Sequence, residues 1–477
     1  MMKSGSYEKF VQYSCFSGGG NAVAYDYLQL DRTSGVPLYR QLYLCIRGAA
    51  ESGFLREGSR LPSVRRLASD LALSCTTVET AYQQLCVEGY LRASPQRGYF
   101  VRGALRAEPE RAPAPPAVPR LPEKPARYDF GSGSVDIGDT DIKVWRKNVR
   151  EALNRQSVLV SYGDPQGEPA LREALSAYSY RVRGVAARPE QIVIGAGTQP
   201  LLSLLCGLLG REASSVAMEE PGFPQAEQVF ADFGLPVRVL PGDADGIRMD
   251  ALGQSGARLV YISPSNRVRE GSCIPMSRRA ELLSWAARTG GVIIEDDYNG
   301  ELRYRARPVP AMQGIAGGHG VVYVGSFSKL LLPSVRIGYM VLTPELLARY
   351  LPRAANRNQT ASKVEQLALA EYIRSGRMEK HLRRLRKLYG AKSEALLRAL
   401  REAFGGRAEI LLQETQLTAL LSFPAEKDAA ALCRRALDCG VRIRPADGGR
   451  VRLGFAGIPL EEIGEAVARL KDAWSGI

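Results

Sequence analysis

Histidine is almost missing from this chain: His319 and His381 are the only two in 477 residues. With so few imidazoles, and with eight cysteines that never fall at C-x-x-C spacing, neither a metal centre nor a disulfide framework is expected. Long apolar runs are lacking too, none approaching the ~20 residues needed to cross a bilayer. The first residues hold no apolar h-region of signal-peptide type, so 1–34 read as a frayed leader and the cytosol as the compartment. Negative charge is in short supply: 50 acids face 64 Lys and Arg, a formal net charge of +14. That excess points toward an anionic partner. At 45% hydrophobic and 24% charged the chain is nonetheless a folded one, and its length calls for two or three globular units.

The first unit is expected at 35–102. Pro37 suits the first turn of a helix that carries Leu38, Leu42, Ile46 and Ala49 inward and stops at Gly53. Ser63 can cap a second, short helix with Val64, Leu67, Ala68 and Leu71 as its buried side, and Ser74 a third from Cys75 to Glu88. After Gly89, Tyr90-Leu91-Arg92 and Tyr99-Phe100-Val101 can pair as a hairpin. Pro37 to Arg102 holds nine arginines against five acids, a net of +4. Between 103 and 127 seven prolines sit among Ala, Arg and Glu, a composition that favours an extended linker over a packed core.

From Tyr128 onward short apolar strands alternate with helices: Gln191 to Ile194, Ser215 to Met218, Leu259 to Ile262, Val292 to Ile294 and Val321 to Val324. Alternation of this kind implies an α/β unit with a mainly parallel sheet, followed from Leu417 by a smaller α+β lobe. Gly195-Ala196-Gly197-Thr198-Gln199 opens a helix after a strand, where free N–H groups and the helix dipole can hold a phosphate. Its spacing fits neither a P-loop nor a dinucleotide fingerprint. The strand at Val321 delivers Ser326, Ser328 and Lys329, with Arg336 seven residues on, while the strand at Val292 leads to Asp296 and Tyr298. A lysine, an acid and phosphate-holding groups together suit a pyridoxal phosphate (PLP) site.

Leu61-Pro62-Ser63-Val64-Arg65-Arg66-Leu67-Ala68, Thr76-Thr77-Val78, Ala81-Tyr82-Gln83-Gln84-Leu85 and Glu88-Gly89-Tyr90-Leu91 resemble the winged helix of the GntR family. In such a domain the third helix enters the major groove. The resemblance assigns a guanine or phosphate contact to Arg65, hydroxyl contacts to Ser74, Thr76 and Thr77, and the wing tip to Arg97 and Gly98. Cys75 stands where the family commonly has arginine, so a contact is lost or the half-site differs. Arg66 reads as a solvated helix face.

Residues 128–477 resemble the fold type I PLP enzymes of the aspartate aminotransferase superfamily. That resemblance implies a Schiff base at Lys329, a pyridine-nitrogen contact from Asp296, a hydrogen bond from Tyr298 to the phenolate oxygen and ring stacking by Phe223. It implies a phosphate grip by Gly197, Thr198, Ser326, Ser328 and Arg336, with Tyr162 reaching from the neighbouring subunit, and an α-carboxylate contact from Arg452. One departure stands out. The superfamily's turn asparagine is replaced by Val268, with Asn266 the nearby substitute, which counts against efficient transamination.

The order winged helix, Pro-rich linker, aminotransferase-like domain resembles the MocR subfamily of transcriptional regulators. The expectation is therefore a multidomain protein that binds double-stranded operator DNA as a homodimer, with a head-to-tail geometry implied by the same resemblance. It would sense an amine, an amino acid or PLP itself through an aldimine at Lys329. Two alternatives stay open: a working aminotransferase with a DNA-binding appendage, and a repressor whose larger domain only dimerises.

Overall fold

The computed structural model describes residues 25, 27–102, 126–131, 133–136, 139–210, 214–220, 222–266, 273–304, 309–413, 417–424, 428–446 and 448–475. Most of the expected leader, the expected linker apart from 126–127, and Val268 with its neighbours 267–272 lie outside the described residues. The chain divides into two compact units, Met1–Leu121 and Pro122–Ile477.

In the first unit Pro37 stands just outside the opening helix, Leu38–Glu51, as its cap and not within its first turn. Leu42, Ile46 and Ala49 are fully buried, as their spacing requires. Ser63 accepts the Arg66 N–H at 3.3 Å and starts the helix Val64–Asp70. Ser74 accepts the Thr77 N–H at 3.1 Å and starts Cys75–Val87. Each cap satisfies a donor that the first helical turn leaves open. Val78, Ala81, Tyr82 and Leu85 of the third helix close the core. Strands Leu91–Ser94 and Gly98–Val101 pair antiparallel, Leu91 opposite Val101 and Ser94 opposite Gly98.

The second unit is built on a seven-stranded sheet. In spatial order its strands are Ile192–Gly195, Gly338–Val341, Val321–Ser326, Val292–Asp297, Leu259–Ile262, Val216–Glu219 and Val237–Leu240. All neighbours are parallel except Gly338–Val341, which runs antiparallel to both of its own. Both faces are covered, which is why the strands are almost uniformly apolar. Val216, Met218, Leu259, Tyr261 and Ile294 lie in one core and Ala217, Val260, Ile293 and Val321 in another. The strand Val292–Asp297 runs on past its apolar residues and ends in the carboxylates Glu295, Asp296 and Asp297. The helix after Gly197 runs from Thr198 to Leu209. The smaller lobe holds a four-stranded antiparallel sheet in the order Glu409–Gln413, Thr418–Ser422, Arg450–Gly454, Arg444–Ala446. A 28-residue helix, Arg377–Phe404, joins the two lobes' hydrophobic core.

Candidate functional site

Strand register fixes the site before any side chain is considered. Gly195 and Ser326 both pair with Gly338, and Gly325 pairs with Asp297. Three parallel strands thus end, and the antiparallel one begins, at one edge, where ligands of open α/β sheets bind. There Gly197, at φ +96°, caps the helix Thr198–Leu209. A Cβ on Gly197 would sit 2.8 Å from Arg336 Nη2, so the guanidinium lies directly against this helix start. Arg336 itself adopts the left-handed conformation at φ 51°, which costs a non-glycine residue about 1–2 kcal/mol. Ser326 Oγ accepts the Ser328 N–H at 3.3 Å. Gly197, Thr198, Ser326, Ser328 and Arg336 are therefore gathered at one edge, as a phosphate would require.

Lys329 follows in the turn after Val321–Ser326. Its Nζ donates to the Gly133 carbonyl, and a Cβ on Gly133 would lie only 2.9 Å from that nitrogen. Burial holds the amine's pKa below the ordinary lysine value. The turn is clasped from beneath by His381, a residue in which the sequence showed no role. Its Nδ1 lies 2.9 Å from Asp141 Oδ2 and its Nε2 lies 2.9 Å from the Leu330 carbonyl. Asp141 also accepts from Tyr372 Oη at 2.8 Å and from Arg384. Burial pushes the Asp141 carboxyl up, but Arg384, Tyr372 and His381 outweigh it and the net shift is downward.

Asp296 is 2% exposed. Its Oδ2 accepts from Tyr261 Oη, whereas its Oδ1 is buried without a partner. Burial raises this carboxyl to about 7, against the opposing Tyr261 hydrogen bond. Phe223 lies parallel to the Tyr261 ring, 5° between planes and 6.4 Å between centroids. Tyr298 is half-buried; burial and then Asp296 raise its pKa, while Arg452 lowers it. Arg452, on Arg450–Gly454, keeps a buried Nε with no partner. Behind this layer Arg183 and Asp297 form a fully buried pair at 2.6 Å, completed by Ser265 Oγ and Tyr323 Oη. Asn266 is 1% exposed in the turn after Leu259–Ile262. Tyr162, by contrast, is 99% exposed, so the chain does not fold it into this cluster.

In the first unit Arg65, Cys75, Thr76 and Arg97 are exposed. The Ser74 hydroxyl is engaged with the Thr77 N–H and, at 2.8 Å, with the Thr77 hydroxyl. Gly98, at φ +101°, sits beside the Arg60 guanidinium at the base of the turn. Arg66 pairs with Asp70 at 3.7 Å on an exposed helix face. Among the described residues no group of His, Cys, Asp and Glu is placed to hold a metal ion, and no helix is long and apolar enough to cross a membrane.

Residues 38–101 match the bacterial regulatory proteins of the gntR family, and residues 128–470 match aminotransferase class I and II. The chain is 38% identical to the uncharacterized HTH-type transcriptional regulator YhdI of Bacillus subtilis (strain 168), over 94% of this chain and 97% of that protein. It is 32% identical to the probable rhizopine catabolism regulatory protein MocR of Rhizobium meliloti, over 94% and 96% respectively. Among solved structures, LysN, the α-aminoadipate aminotransferase of Thermus thermophilus, superimposes with a TM-score of 0.65 at 27% identity. That likeness covers 73% of this chain and 92% of LysN, which was crystallised with N-(5'-phosphopyridoxyl)-L-leucine.

Proposed function

This chain belongs to the MocR subfamily of GntR-family transcriptional regulators, whose aminotransferase-like domain takes pyridoxal phosphate, and on that premise we propose that it controls operator binding by sensing an amine, an amino acid or PLP at Lys329. When bound, PLP supplies an aldehyde that reacts with amines and a ring that accepts electrons. The residues fit the group. The observation that carries the reading is the unpartnered, buried Asp296 Oδ1. A buried carboxylate oxygen without a donor is costly, and a protonated pyridine nitrogen is the donor that would answer it. That cation would also keep Asp296 ionised against the burial that pushes it up to about 7.

Around it, Lys329 offers an amine whose lowered pKa leaves more of it unprotonated and nucleophilic at neutral pH. Gly197, Thr198, Ser326, Ser328 and Arg336 would hold its phosphate, and Phe223 and Tyr298 would lie against its ring. Arg452 Nε is free to meet a carboxylate. Tyr162, standing in solvent, is available to a second subunit, which supports a homodimer. In the other unit Arg65, Thr76 and Arg97 remain exposed for DNA. Cytosolic residence follows from that target.

The test is operator binding at fixed salt by apo-protein, PLP-loaded protein, and PLP-loaded protein with a panel of amino acids. Affinity should change between these states, and Lys329→Ala should abolish both the visible absorption of the loaded protein and the response. Unchanged affinity across all three would reduce the larger domain to a dimerisation device. A second reading, turnover as an aminotransferase, is favoured by the retention of Lys329, Asp296 and Arg452 together. Sustained keto-acid production from an amino acid would select it.

A further inference from the structure

We infer that the effector of this site is an amino acid with a second negative charge on its side chain, and that Arg444 reads that charge. The inference rests on the reading of Lys329 as the amine-exchange group and Arg452 as the α-carboxylate group. In the small lobe Arg444 stands directly opposite Arg452 on antiparallel strands. Opposed residues share one face of the sheet with Cβ atoms roughly 4.5–5.5 Å apart, where like charges destabilise the pair.

No acid relieves them among the described residues. Arg452 Nε is buried and unpartnered. Arg444 Nε donates to a neutral group, the Gly131 carbonyl, at 2.6 Å. Asp129 shares the surroundings of Gly131 with Arg444, but its carboxylate is engaged by the Gly131 N–H at 2.8 Å and by Arg442 at 3.2 Å. Two arginines opposed on one face of the sheet, with no counter-charge among the described residues, suit a ligand with two anionic groups.

Their reach matches that ligand. The Gly133 carbonyl receives Lys329 Nζ and the Gly131 carbonyl receives Arg444 Nε. Two residues of backbone span at most about 7 Å, so with a hydrogen bond at each end the lysine amine and Arg444 Nε lie within about 12 Å of one another, a separation that the two ends of a dicarboxylic amino acid and their hydrogen bonds can bridge. The amine of such a ligand would meet the lysine's end of that space, its α-carboxylate Arg452 and its side-chain carboxylate Arg444.

The experiment titrates full-length, PLP-loaded protein with glutamate, with its uncharged isostere glutamine, and with alanine, following the visible absorption. Glutamate should bind at least about tenfold more tightly than glutamine, the gain expected of one charge-assisted pair. Arg444→Gln should bring that ratio to about one, and Arg444→Lys should restore part of it. Equal binding of glutamate and glutamine by the unaltered protein overturns the inference. So does an Arg444→Gln variant that weakens glutamate, glutamine and alanine alike, since Arg444 would then merely brace Gly131. If no amino acid perturbs the absorption while Lys329→Ala still abolishes it, the effector class fails and the cofactor assignment stands.

Discussion

At the scale of single residues, His381 ties the lysine turn to the rest of the lobe. It joins Leu330, the residue after Lys329, to Asp141 on the helix Asp139–Leu153, while Tyr372 and Arg384 complete the carboxylate's shell. Arg377 also acts on Tyr372. Removing the ring leaves the Leu330 carbonyl without this partner in a buried setting and leaves Asp141 Oδ2 to Arg384 alone, a loss of about 2–3 kcal/mol. His381→Ala should therefore lower the urea midpoint and also weaken PLP retention, because the amine would no longer be held in place. Visible absorption during dialysis checks the second effect. A variant that is destabilised yet keeps its cofactor as well as the parent would make His381 a stability residue and nothing more. None of this was legible in the sequence, where His381 lies 240 residues from Asp141 and 51 from Leu330, and a lone histidine in a helix carries no periodic signal.

At the scale of elements, the strand Val292–Asp297 is the unusual one: three consecutive carboxylates, Glu295, Asp296 and Asp297, are all within 2% of full burial. Alternation sends Asp296 to the face opposite its neighbours. Glu295 caps the short helix Met312–Ile315 through the Met312 and Gln313 N–H groups, and Asp297 meets Arg183. Burial raises Asp296 from 3.8 to about 7 and Glu295 from 4.5 to about 7. A carboxyl whose folded pKa is raised binds more protons folded than unfolded, so its contribution is fully present below the unfolded value and is lost as pH rises toward the folded one. Apo-protein should thus lose stability between pH ~4 and ~7. Asp296→Asn, which cannot ionise, should lose on the order of 2–4 kcal/mol less across that window. Melting curves of the two apo-proteins from pH ~4 to ~7 test this, and parallel slopes would argue against it.

The same strand shows what sequence could and could not reveal. Its β-branched start was plain, as were those at Leu259 and Val321, because a strand buried on both faces reads as a continuous apolar run. Its carboxylate end was legible too, as the close of the same run, but the partner that keeps Asp297 buried was not, since Arg183 lies 114 residues away. The antiparallel strand Gly338–Val341 was also missed as an element. It is four residues long, opens on glycine and follows the left-handed Arg336, so nothing local distinguishes it from the tail of the lysine turn.

At the scale of the whole molecule, the proposed function asks one unit to present exposed arginines such as Arg65 and Arg97 to DNA and the other to hold a site that Tyr162 of a neighbouring subunit would complete. The exposed apolar run Leu159, Val160 and Tyr162, at 58%, 77% and 99% exposure, with Leu153 at 45%, is the surface a second copy would cover. Pairing two copies also pairs two DNA-reading units, and linked heads bind far more tightly than one, by effective concentration alone. Val160→Glu places a charge in that contact without touching the core, since Val160 is already solvent-exposed. The variant should sediment as a monomer, hold PLP more weakly for want of the neighbour's Tyr162, and lose at least about tenfold in operator affinity. Its dependence on salt should flatten as well, because the slope of log affinity against log salt counts the phosphates neutralised, and one head neutralises about half as many as two. A monomer that keeps the full salt slope would mean that both heads are not engaged at once, and the coupling of effector to operator would then have to lie within a single subunit.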